Sequence, residues 1–330
     1  MLCHQTLRRL LEAFPQIIVN MTTDFANHHE PLTDLFAQPA TPEEWAAHQL
    51  SADQVAHFVE HGYVAGVRLL EEGQIEALRG ELAEMTDPEH DGRELFYEYH
   101  SNESDNPDTV LFHALGAWRV RRAFHDILWN PRFLVPAWQL LGNNFRLFHD
   151  QLFSKPAQHG GVVAWHQDFS YWTWTQPMAH LTCWIGLDDA NEENGCLHYI
   201  PGSHRWGLLE KTGLAGDMDS VRDVLTLTQV EDFEKQRPIV LKKGEATFHH
   251  PLMMHGSYEN QSDHPRRATV INLLADGVTS NLEGAHSPGT ENFPMLPTGE
   301  KMSGRFYPML FDTKKALGDL ANEIPTVDAR

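Results

Sequence analysis

The sequence predicts a mainly β protein with flanking α-helices, and two observations lead to this fold class. First, apolar residues repeat at helical spacing up to about residue 142, and the pattern then changes to period two. Second, the period-two segments are short and separated by Gly, Pro and Asn, which is typical of antiparallel sandwiches and barrels. With 330 residues, of which 41% are hydrophobic, the chain can bury a substantial core.

The helical part begins at a predicted capping box. Ser51 and Gln54 have the S-x-x-Q spacing, apolar residues follow at helical spacing, and Gly62 is the expected stop. A second amphipathic helix is expected where Ile75, Leu78 and Leu82 share one face.

Two further helices are expected before the strands begin, over about residues 118–128 and in a segment ending at Gly142. Pro136 should break the first turn of the second one, because proline lacks the N–H that a helix needs. The predicted strands are 145–153, 180–187, 196–200, 238–241, 246–249 and 268–274.

No linker separates two independent folding units. We therefore expect an N-terminal extension over residues 1–45, which could be disordered, and a single domain over 46–330. Within this domain, residues 46–142 would give helical support, 143–275 the β core, and 276–330 C-terminal loops that wrap the body.

Composition excludes several classes of function. The formal charge of −21 argues against a nucleic-acid partner, since phosphate binding needs clustered Lys and Arg. No apolar stretch approaches the roughly 20 residues of a membrane helix, so no membrane partner is expected. Cys3, Cys183 and Cys196 form no C-x-x-C pair, which favours a reducing, cytoplasmic location. The 21 histidines invite a metal-binding interpretation.

The best candidate for a metal site is the H-x-D spacing of His166 and Asp168. On a strand, residues two apart point to the same face, so an imidazole and a carboxylate could bind one ion. A third ligand could come from His249, His250 or His255 in a later histidine-rich segment. Two histidines and one carboxylate form the facial triad of non-haem Fe(II) oxygenases. The H-x-D spacing alone fits a local hydrogen-bonded turn about equally well.

A series of ordered motifs resembles the phytanoyl-CoA dioxygenase family of Fe(II)/2-oxoglutarate oxygenases. The motifs are W-H-Q-D-F-S-Y-W at 165–172, W-I-G-L-D-D-A at 184–190, E-N-G-C-L at 193–197, I-P-G-S-H at 200–204, K-G-E-A-T-F-H at 243–249 and H-G-S at 255–257, followed by Asn260 and Arg266. The resemblance is specific over about residues 145–275. It implies a double-stranded β-helix core, the jelly roll of cupin-like proteins.

The resemblance also implies roles for individual residues. His166, Asp168 and His255 would be the Fe(II) ligands, and Arg266 would grip the distal carboxylate of 2-oxoglutarate through its planar fork. The remaining residues expected around the co-substrate or substrate are Ser257, Trp184, His149 and Gln151.

Two of these assignments have competitors nearby in the sequence. His249 or His250 could replace His255, but the Gly-Ser that follows His255 and its spacing to Arg266 favour His255. Arg267 could replace Arg266, although on a strand the two side chains point to opposite faces and only one can serve.

The resemblance implies a hydroxylase that uses Fe(II), 2-oxoglutarate and O2, with ascorbate as an optional reductant. It would hydroxylate an unactivated C–H bond of a small organic substrate and release succinate and CO2. Asp168 favours hydroxylation, since related halogenases replace this carboxylate with a small residue. The alternatives are a cupin-like metal enzyme that does not use 2-oxoglutarate, which would not need Arg266, and a non-catalytic binding protein on the same fold.

The substrate is constrained only by composition. The aromatic residues from Phe169 to Trp174 could give a pocket with flat apolar walls. The acidic charge disfavours a coenzyme A ester, unless basic residues such as Lys155, Arg205 and Lys211 cluster at the mouth of the pocket.

Overall fold

The period-two segments form antiparallel sheets. The computed structural model describes residues 23–284 and 292–327. Its strands are β1 (Tyr63–Arg68), β2 (Glu98–His100), β3 (Phe112–Leu115), β4 (Phe145–Lys155), β5 (Val163–His166), β6 (Thr175–Gln176), β7 (His180–Gly186), β8 (Leu197–Tyr199), β9 (Arg237–Ile239), β10 (Glu245–His249), β11 (His255–Ser257), β12 (Arg266–Ala275), β13 (Thr279–Ser280) and β14 (Met309–Phe311).

Two of the sheets build the core. The major sheet has the order β1-β10-β7-β12-β4-β3-β2, with β14 added beside β4, and the minor sheet has the order β5-β11-β8-β9. Apolar side chains from both sheets pack together between them, among them Phe153, Trp184 and Val270 from the major sheet and Leu197 and Tyr199 from the minor one. The predicted fold class, mainly β with flanking helices around a jelly-roll core, is confirmed.

Seven α-helices of the described chain flank this core. They are α1 (Pro42–Ala46), α2 (Ala52–His61), α3 (Glu72–Met85), α4 (Arg122–Asp126), α5 (Pro131–Leu141), α6 (Leu227–Phe233) and α7 (Thr313–Ala316). Helices α2, α3 and α5 pack their apolar faces on the outer side of the major sheet. None of the helices in the described part of the chain is long and apolar enough to span a bilayer.

The alternation of side chains along β7 shows how the major sheet packs against the helices on one face and against the minor sheet on the other. Cys183 and Ile185 belong to the cluster that contains the helices, whereas Trp184 packs toward the minor sheet. Every residue of β7 is buried as a result. Polar residues placed on the inner side, such as Thr182, are therefore held in the space between the sheets.

The predicted capping box of α2 is confirmed. Ser51 accepts a hydrogen bond from the backbone N–H of Gln54, whose side chain accepts from the N–H of Ser51. The helix ends at Gly62, which has a φ of 84° in the left-handed region. A side chain at Gly62 would also collide with the ring of His204, at 2.4 Å.

Two helical predictions need correction. The expected helix over 118–128 is broken, because Arg121 is extended and only Arg122–Asp126 is α-helical, between two short 3-10 turns. The predicted break at Pro136 is wrong, since α5 runs through it from Pro131 to Leu141. Pro131 occupies the first helical position, where no N–H is needed, and Asn130 caps the helix by accepting from the N–H of Arg132.

The chain on either side of the core lies against it. Within the segment expected to be an N-terminal extension, residues 23–45 make buried contacts: Asp24 pairs with Arg119, and Asp126 accepts hydrogen bonds from the N–H groups of Leu32 and Thr33. Residues 1–22, including Cys3, lie outside the described residues. After residue 276 the expected wrap includes a strand, β14, which pairs with β4.

Candidate metal centre

Two histidines face each other across neighbouring strands of the minor sheet. His166 ends β5 and His255 begins β11; the two residues are direct cross-strand partners, and their ring centroids lie 4.1 Å apart. In each ring Nδ1 bonds to the carbonyl oxygen two residues earlier, 2.7 Å to Ala164 and 2.9 Å to Met253. A carbonyl oxygen can only accept, so each Nδ1 carries the hydrogen and each Nε2 keeps a lone pair for a metal.

Asp168 completes the group. One of its carboxylate oxygens, Oδ1, lies 3.5 Å from Nε2 of His166 and 3.6 Å from Nε2 of His255. Ligand atoms of all three residues lie within 4.8 Å of one another, and all three residues are buried. The structure therefore brings together the three residues that the sequence selected as metal ligands.

The local structure around Asp168 differs from the prediction. β5 ends at His166, and Asp168 opens a 3-10 helix that runs to Tyr171. The two side chains meet because the chain turns at Gln167, whose side chain is bound by the backbone on both sides: it donates to the carbonyl of Leu252 and accepts from the N–H of Leu209. His166 and Asp168 thus converge through this turn and not through the two-residue period of a strand.

The second oxygen of Asp168 is occupied by protein donors. Oδ2 lies 2.5 Å from the hydroxyl of Thr182 and 3.0 Å from Nε2 of His249. Burial opposes ionisation, yet the imidazole of His255 and the neighbouring hydrogen bonds hold the pKa of Asp168 well below its usual range. Burial lowers the pKa of His255 well below 6.5. Neutral imidazoles and an ionised carboxylate are the states in which these groups bind metals.

The two competing histidines do not belong to this group of three converging ligand atoms. His249 faces Asp168, but through the oxygen turned away from His166 and His255, and its Nδ1 bonds to the hydroxyl of Tyr199. His250 packs against His204, 5.4 Å between ring centroids, and its Nδ1 accepts from the N–H of Leu252.

A buried arginine lines the same cavity. Arg266 is 1% exposed; its guanidinium donates to the carbonyl of Gly195 at 2.9 Å and contacts the Ser257 hydroxyl at 3.3 Å. It also lies over the ring of Trp184, 5.5 Å from the centroid. Burial lowers the pKa of Arg266 to about 10, which leaves it charged at neutral pH. Arg267 points away and binds Asp188 at 2.8 Å.

Sequence reasoning missed the role of Lys155. This residue was considered as one of a basic cluster at the pocket mouth, but it is fully buried beside Ser257. Its ammonium donates to the Ser257 hydroxyl at 2.7 Å, to the Ser257 carbonyl at 3.2 Å and to the Tyr258 carbonyl at 2.6 Å. Of the other two, Arg205 donates to the Val59 carbonyl on the surface, and only Lys211 lines the cavity, above the ring of Tyr171.

The cavity that joins these groups has a volume of about 420 Å³, within the usual size of small-molecule sites. His149 and Gln151, which the resemblance places around the co-substrate or substrate, line this cavity. Its walls are largely aromatic and include Tyr171, Trp172, Trp174 and Phe293. Two carboxylates, Glu98 and Glu103, belong to its polar rim.

The chain matches the family model for phytanoyl-CoA dioxygenase over residues 58–268. It belongs to the phytanoyl-CoA dioxygenase family. It is 31% identical over 149 residues to the mouse (Mus musculus) phytanoyl-CoA dioxygenase domain-containing protein 1, covering 44% of this chain and 50% of that protein. It is 29% identical over 235 residues to the ectoine dioxygenase of Bordetella bronchiseptica, covering 67% of this chain and 74% of that one. The chain thus matches about half the length of the mouse relative.

Solved structures share the fold of this family member. A non-heme alpha ketoglutarate dependent carbocyclase from nogalamycin biosynthesis has a TM-score of 0.66 at 23% identity, covering 83% of this chain and 100% of that one. EctD from S. alaskensis, solved with 2-oxoglutarate and 5-hydroxyectoine, has a TM-score of 0.62 at 19% identity, covering 86% of this chain and 93% of that one. At these identities the likeness concerns the fold.

Proposed function

We propose that this protein is an Fe(II)- and 2-oxoglutarate-dependent dioxygenase that hydroxylates an unactivated C–H bond of a small organic substrate and releases succinate and CO2. One observation carries the proposal. The two imidazoles of His166 and His255 and the carboxylate of Asp168 converge in the same cavity as the buried cation of Arg266. Family membership and the ligands in the titles of related structures support it.

The donor set fits Fe(II). Two nitrogen atoms and one carboxylate oxygen on adjacent positions of an octahedral ion leave the remaining positions open. With Asp168 ionised and His166 and His255 neutral, a divalent ion would leave the site with one net positive charge, which suits a dianionic co-substrate. When bound, iron and 2-oxoglutarate supply with O2 the oxidising power that inserts an oxygen atom into a C–H bond.

The protein's own groups would then bind and orient the co-substrate, the metal and the substrate. Arg266 and the hydroxyl of Ser257 would hold the distal carboxylate of 2-oxoglutarate, and the ring of Trp184 would cover its carbon chain. Asp168 keeps its metal-facing oxygen in place through the bonds that Thr182 and His249 make to the other oxygen. The aromatic walls exclude water and present an apolar surface to the substrate.

The co-substrate can be tested with two adjacent arginines. We expect 2-oxoglutarate to bind the Fe(II) protein in an anaerobic titration, followed by the charge-transfer absorption of the complex. Arg266→Ala should weaken this binding at least about tenfold, because a buried charged hydrogen bond is worth about 2 kcal/mol or more. Arg267→Ala is the matched control, since Arg267 binds Asp188 on the outer side, and should bind as the wild type does. Unchanged binding in Arg266→Ala would overturn the assignment and leave a metal enzyme without 2-oxoglutarate.

The reaction is tested by substrate-stimulated succinate formation. With Fe(II), 2-oxoglutarate, O2 and ascorbate, a panel of small molecules should contain compounds that raise succinate release above the uncoupled rate and that gain one oxygen atom by mass. Asp168→Ala should abolish both signals. Metal and 2-oxoglutarate binding without succinate formation across a broad panel would instead indicate a binding protein on this fold.

A further inference from the structure

A row of polar side chains crosses the inner face of the major sheet. His149 on β4 is the cross-strand partner of Asn272 on β12, Asn272 is the partner of Thr182 on β7, and Thr182 is the partner of His249 on β10. The three members His149, Thr182 and His249 line the cavity, and Asn272 is completely buried between two of them. Thr182 and His249 both contact Asp168, so the row connects a metal ligand to the cavity wall.

The hydrogens of this row have one consistent arrangement, and Asp168 determines it. An ionised carboxylate only accepts, and Thr182 has a single hydroxyl hydrogen, so the 2.5 Å contact between them uses that hydrogen. The oxygen of Thr182 must then accept a hydrogen from the amide of Asn272, 3.0 Å away. If the amide oxygen of Asn272 faced Thr182, the two oxygens would both be acceptors. Rotating the amide by 180° brings its nitrogen to Thr182 and removes this conflict.

The orientation of Asn272 decides the state of His149. Once the amide nitrogen faces Thr182, the amide oxygen faces Nδ1 of His149 across the 3.2 Å contact. An amide oxygen only accepts, so Nδ1 of His149 carries a hydrogen. Burial lowers the pKa of His149 to about 3, so the ring is neutral and has one N–H. Its Nε2 therefore has a lone pair, and no described residue donates a hydrogen bond to it.

We propose that Nε2 of His149 is a specificity-determining acceptor, which takes a hydrogen bond from an O–H or N–H group of the substrate. Two aromatic rings flank His149: the ring centroids of Trp172 and Phe293 lie 5.7 and 5.6 Å away, and both rings are nearly perpendicular to the imidazole. The substrate class is thus a small molecule that presents a hydroxyl or amino group next to an apolar face. This inference rests on the proposed function, because it places that substrate beside the metal ligands.

The tautomer of His149 can be measured directly. We would record long-range ¹H–¹⁵N correlations of the histidine rings in the metal-free and Zn(II)-loaded protein, with His149→Gln to assign the signals. The expected result is a protonated Nδ1 and an unprotonated Nε2. A proton on Nε2 would overturn the proposal, because His149 would then donate into the cavity. This measurement needs neither iron chemistry nor 2-oxoglutarate.

Binding of simple probes tests the acceptor. Phenol and aniline donate a hydrogen bond, whereas anisole and N,N-dimethylaniline do not. The quantity measured is the affinity for phenol or aniline divided by the affinity for its methylated partner, in protein loaded with Zn(II) and 2-oxoglutarate. We expect this ratio to be about fivefold larger in the wild type than in His149→Phe, which is the effect of one neutral hydrogen bond. A preference for phenol alone indicates a hydroxyl group, and one for aniline alone an amino group. Equal ratios in wild type and His149→Phe, for both pairs, would overturn the proposal.

The two hypotheses fail in different ways. Loss of the proposed function would appear as absent binding of metal or of 2-oxoglutarate in the wild-type protein. Loss of the inference about His149 would appear as the wrong tautomer or as unchanged probe ratios in a protein that binds both.

Discussion

Lys155 and Arg266 lie directly opposite each other on β4 and β12, and both side chains are buried. Within the described residues neither lies within ion-pair distance of a carboxylate, and both contact the hydroxyl of Ser257. Burial, reinforced by the charge of Arg266, lowers the pKa of Lys155 well below its usual value. Two buried basic groups that share one hydroxyl would favour an anion, such as a carboxylate, bound beside that hydroxyl.

The first prediction concerns Lys155. The hydroxyl of Ser257 is within reach of Lys155 and Arg266, which can only donate, so its own hydrogen is free to point to a bound carboxylate. Lys155→Met should lose this orientation, because the side chain that binds the Ser257 hydroxyl is removed. We expect 2-oxoglutarate affinity to fall roughly tenfold, about 1.4 kcal/mol, with unchanged metal affinity, in the anaerobic titration. Affinity for 2-oxoglutarate equal to that of the wild type would show that Lys155 only supports the backbone at Ser257.

The second prediction concerns His249. Its Nε2 donates to the oxygen of Asp168 that faces away from His166 and His255, and its Nδ1 accepts from the Tyr199 hydroxyl. His249→Phe keeps a ring of similar shape and removes this bond, so Asp168 becomes less firmly oriented. We expect metal affinity to fall about 10-fold or more, as for other residues that orient a ligand, measured by competition with a chelator.

The neighbouring histidine provides the control for this experiment. His250 packs on His204, away from Asp168, so His250→Phe should leave metal affinity within about twofold of the wild type. Equal losses in both variants would mean that the effect is a general disturbance of β10 and would contradict the orienting role of His249.

Much of the site follows from local sequence pattern, and the remainder depends on which strands become neighbours. The separation of Arg266 from Arg267 follows from the two-residue period of a strand and is seen in the structure. The pairing of Asn272 with His149 and Thr182 depends on register between strands far apart in sequence. No local pattern specifies this register, so the polar row could not be predicted.

The fold shows the same division between local and distant effects. The ends of α2 follow from capping chemistry within a few residues and agree with the prediction. The turn at residues 116–118 is held by a carboxylate that is distant in sequence. Asp150 on β4 accepts from the N–H groups of Gly116 and Trp118, and no local pattern predicts this contact. The burial of Lys155 could not be predicted, because nothing beside it in the sequence shows the acceptors around it.

The third prediction is a pH dependence of stability from Glu103 and His113. Their side chains lie 2.5 Å apart beside the cavity. Burial opposes both charges, but the pair raises the pKa of His113 and lowers that of Glu103. The contribution of His113 to the free energy of unfolding is complete below pH 6.5 and disappears as the pH rises through its raised pKa. The contribution of Glu103 to the free energy of unfolding is complete above pH 4.5 and disappears as the pH falls through its lowered pKa.

Both contributions are therefore complete between about pH 4.5 and 6.5. The difference in Tm between wild type and Glu103→Gln should be largest in this window and should shrink toward pH 9. Glu60→Gln is the control, because the Glu60–His61 pair is longer, at 3.8 Å, and more exposed. A Tm difference for Glu103→Gln that stays constant from pH 5 to 9 would contradict the charged pair.

The fourth prediction concerns the attachment of residues 23–41 to the body. Asp126 accepts from the N–H groups of Leu32 and Thr33 and from the Thr33 hydroxyl, through both carboxylate oxygens. In Asp126→Asn one of these donors would face an amide N–H instead of an oxygen. We expect the free energy of unfolding to fall by about 1–3 kcal/mol, and limited proteolysis within residues 23–41 to become faster, with the cut sites identified by mass spectrometry. The exposed Asp34 gives a control on the same segment, since Asp34→Asn should change neither quantity. Proteolysis at the wild-type rate in Asp126→Asn would show that apolar contacts, such as that of the buried Phe36, are sufficient to hold this segment.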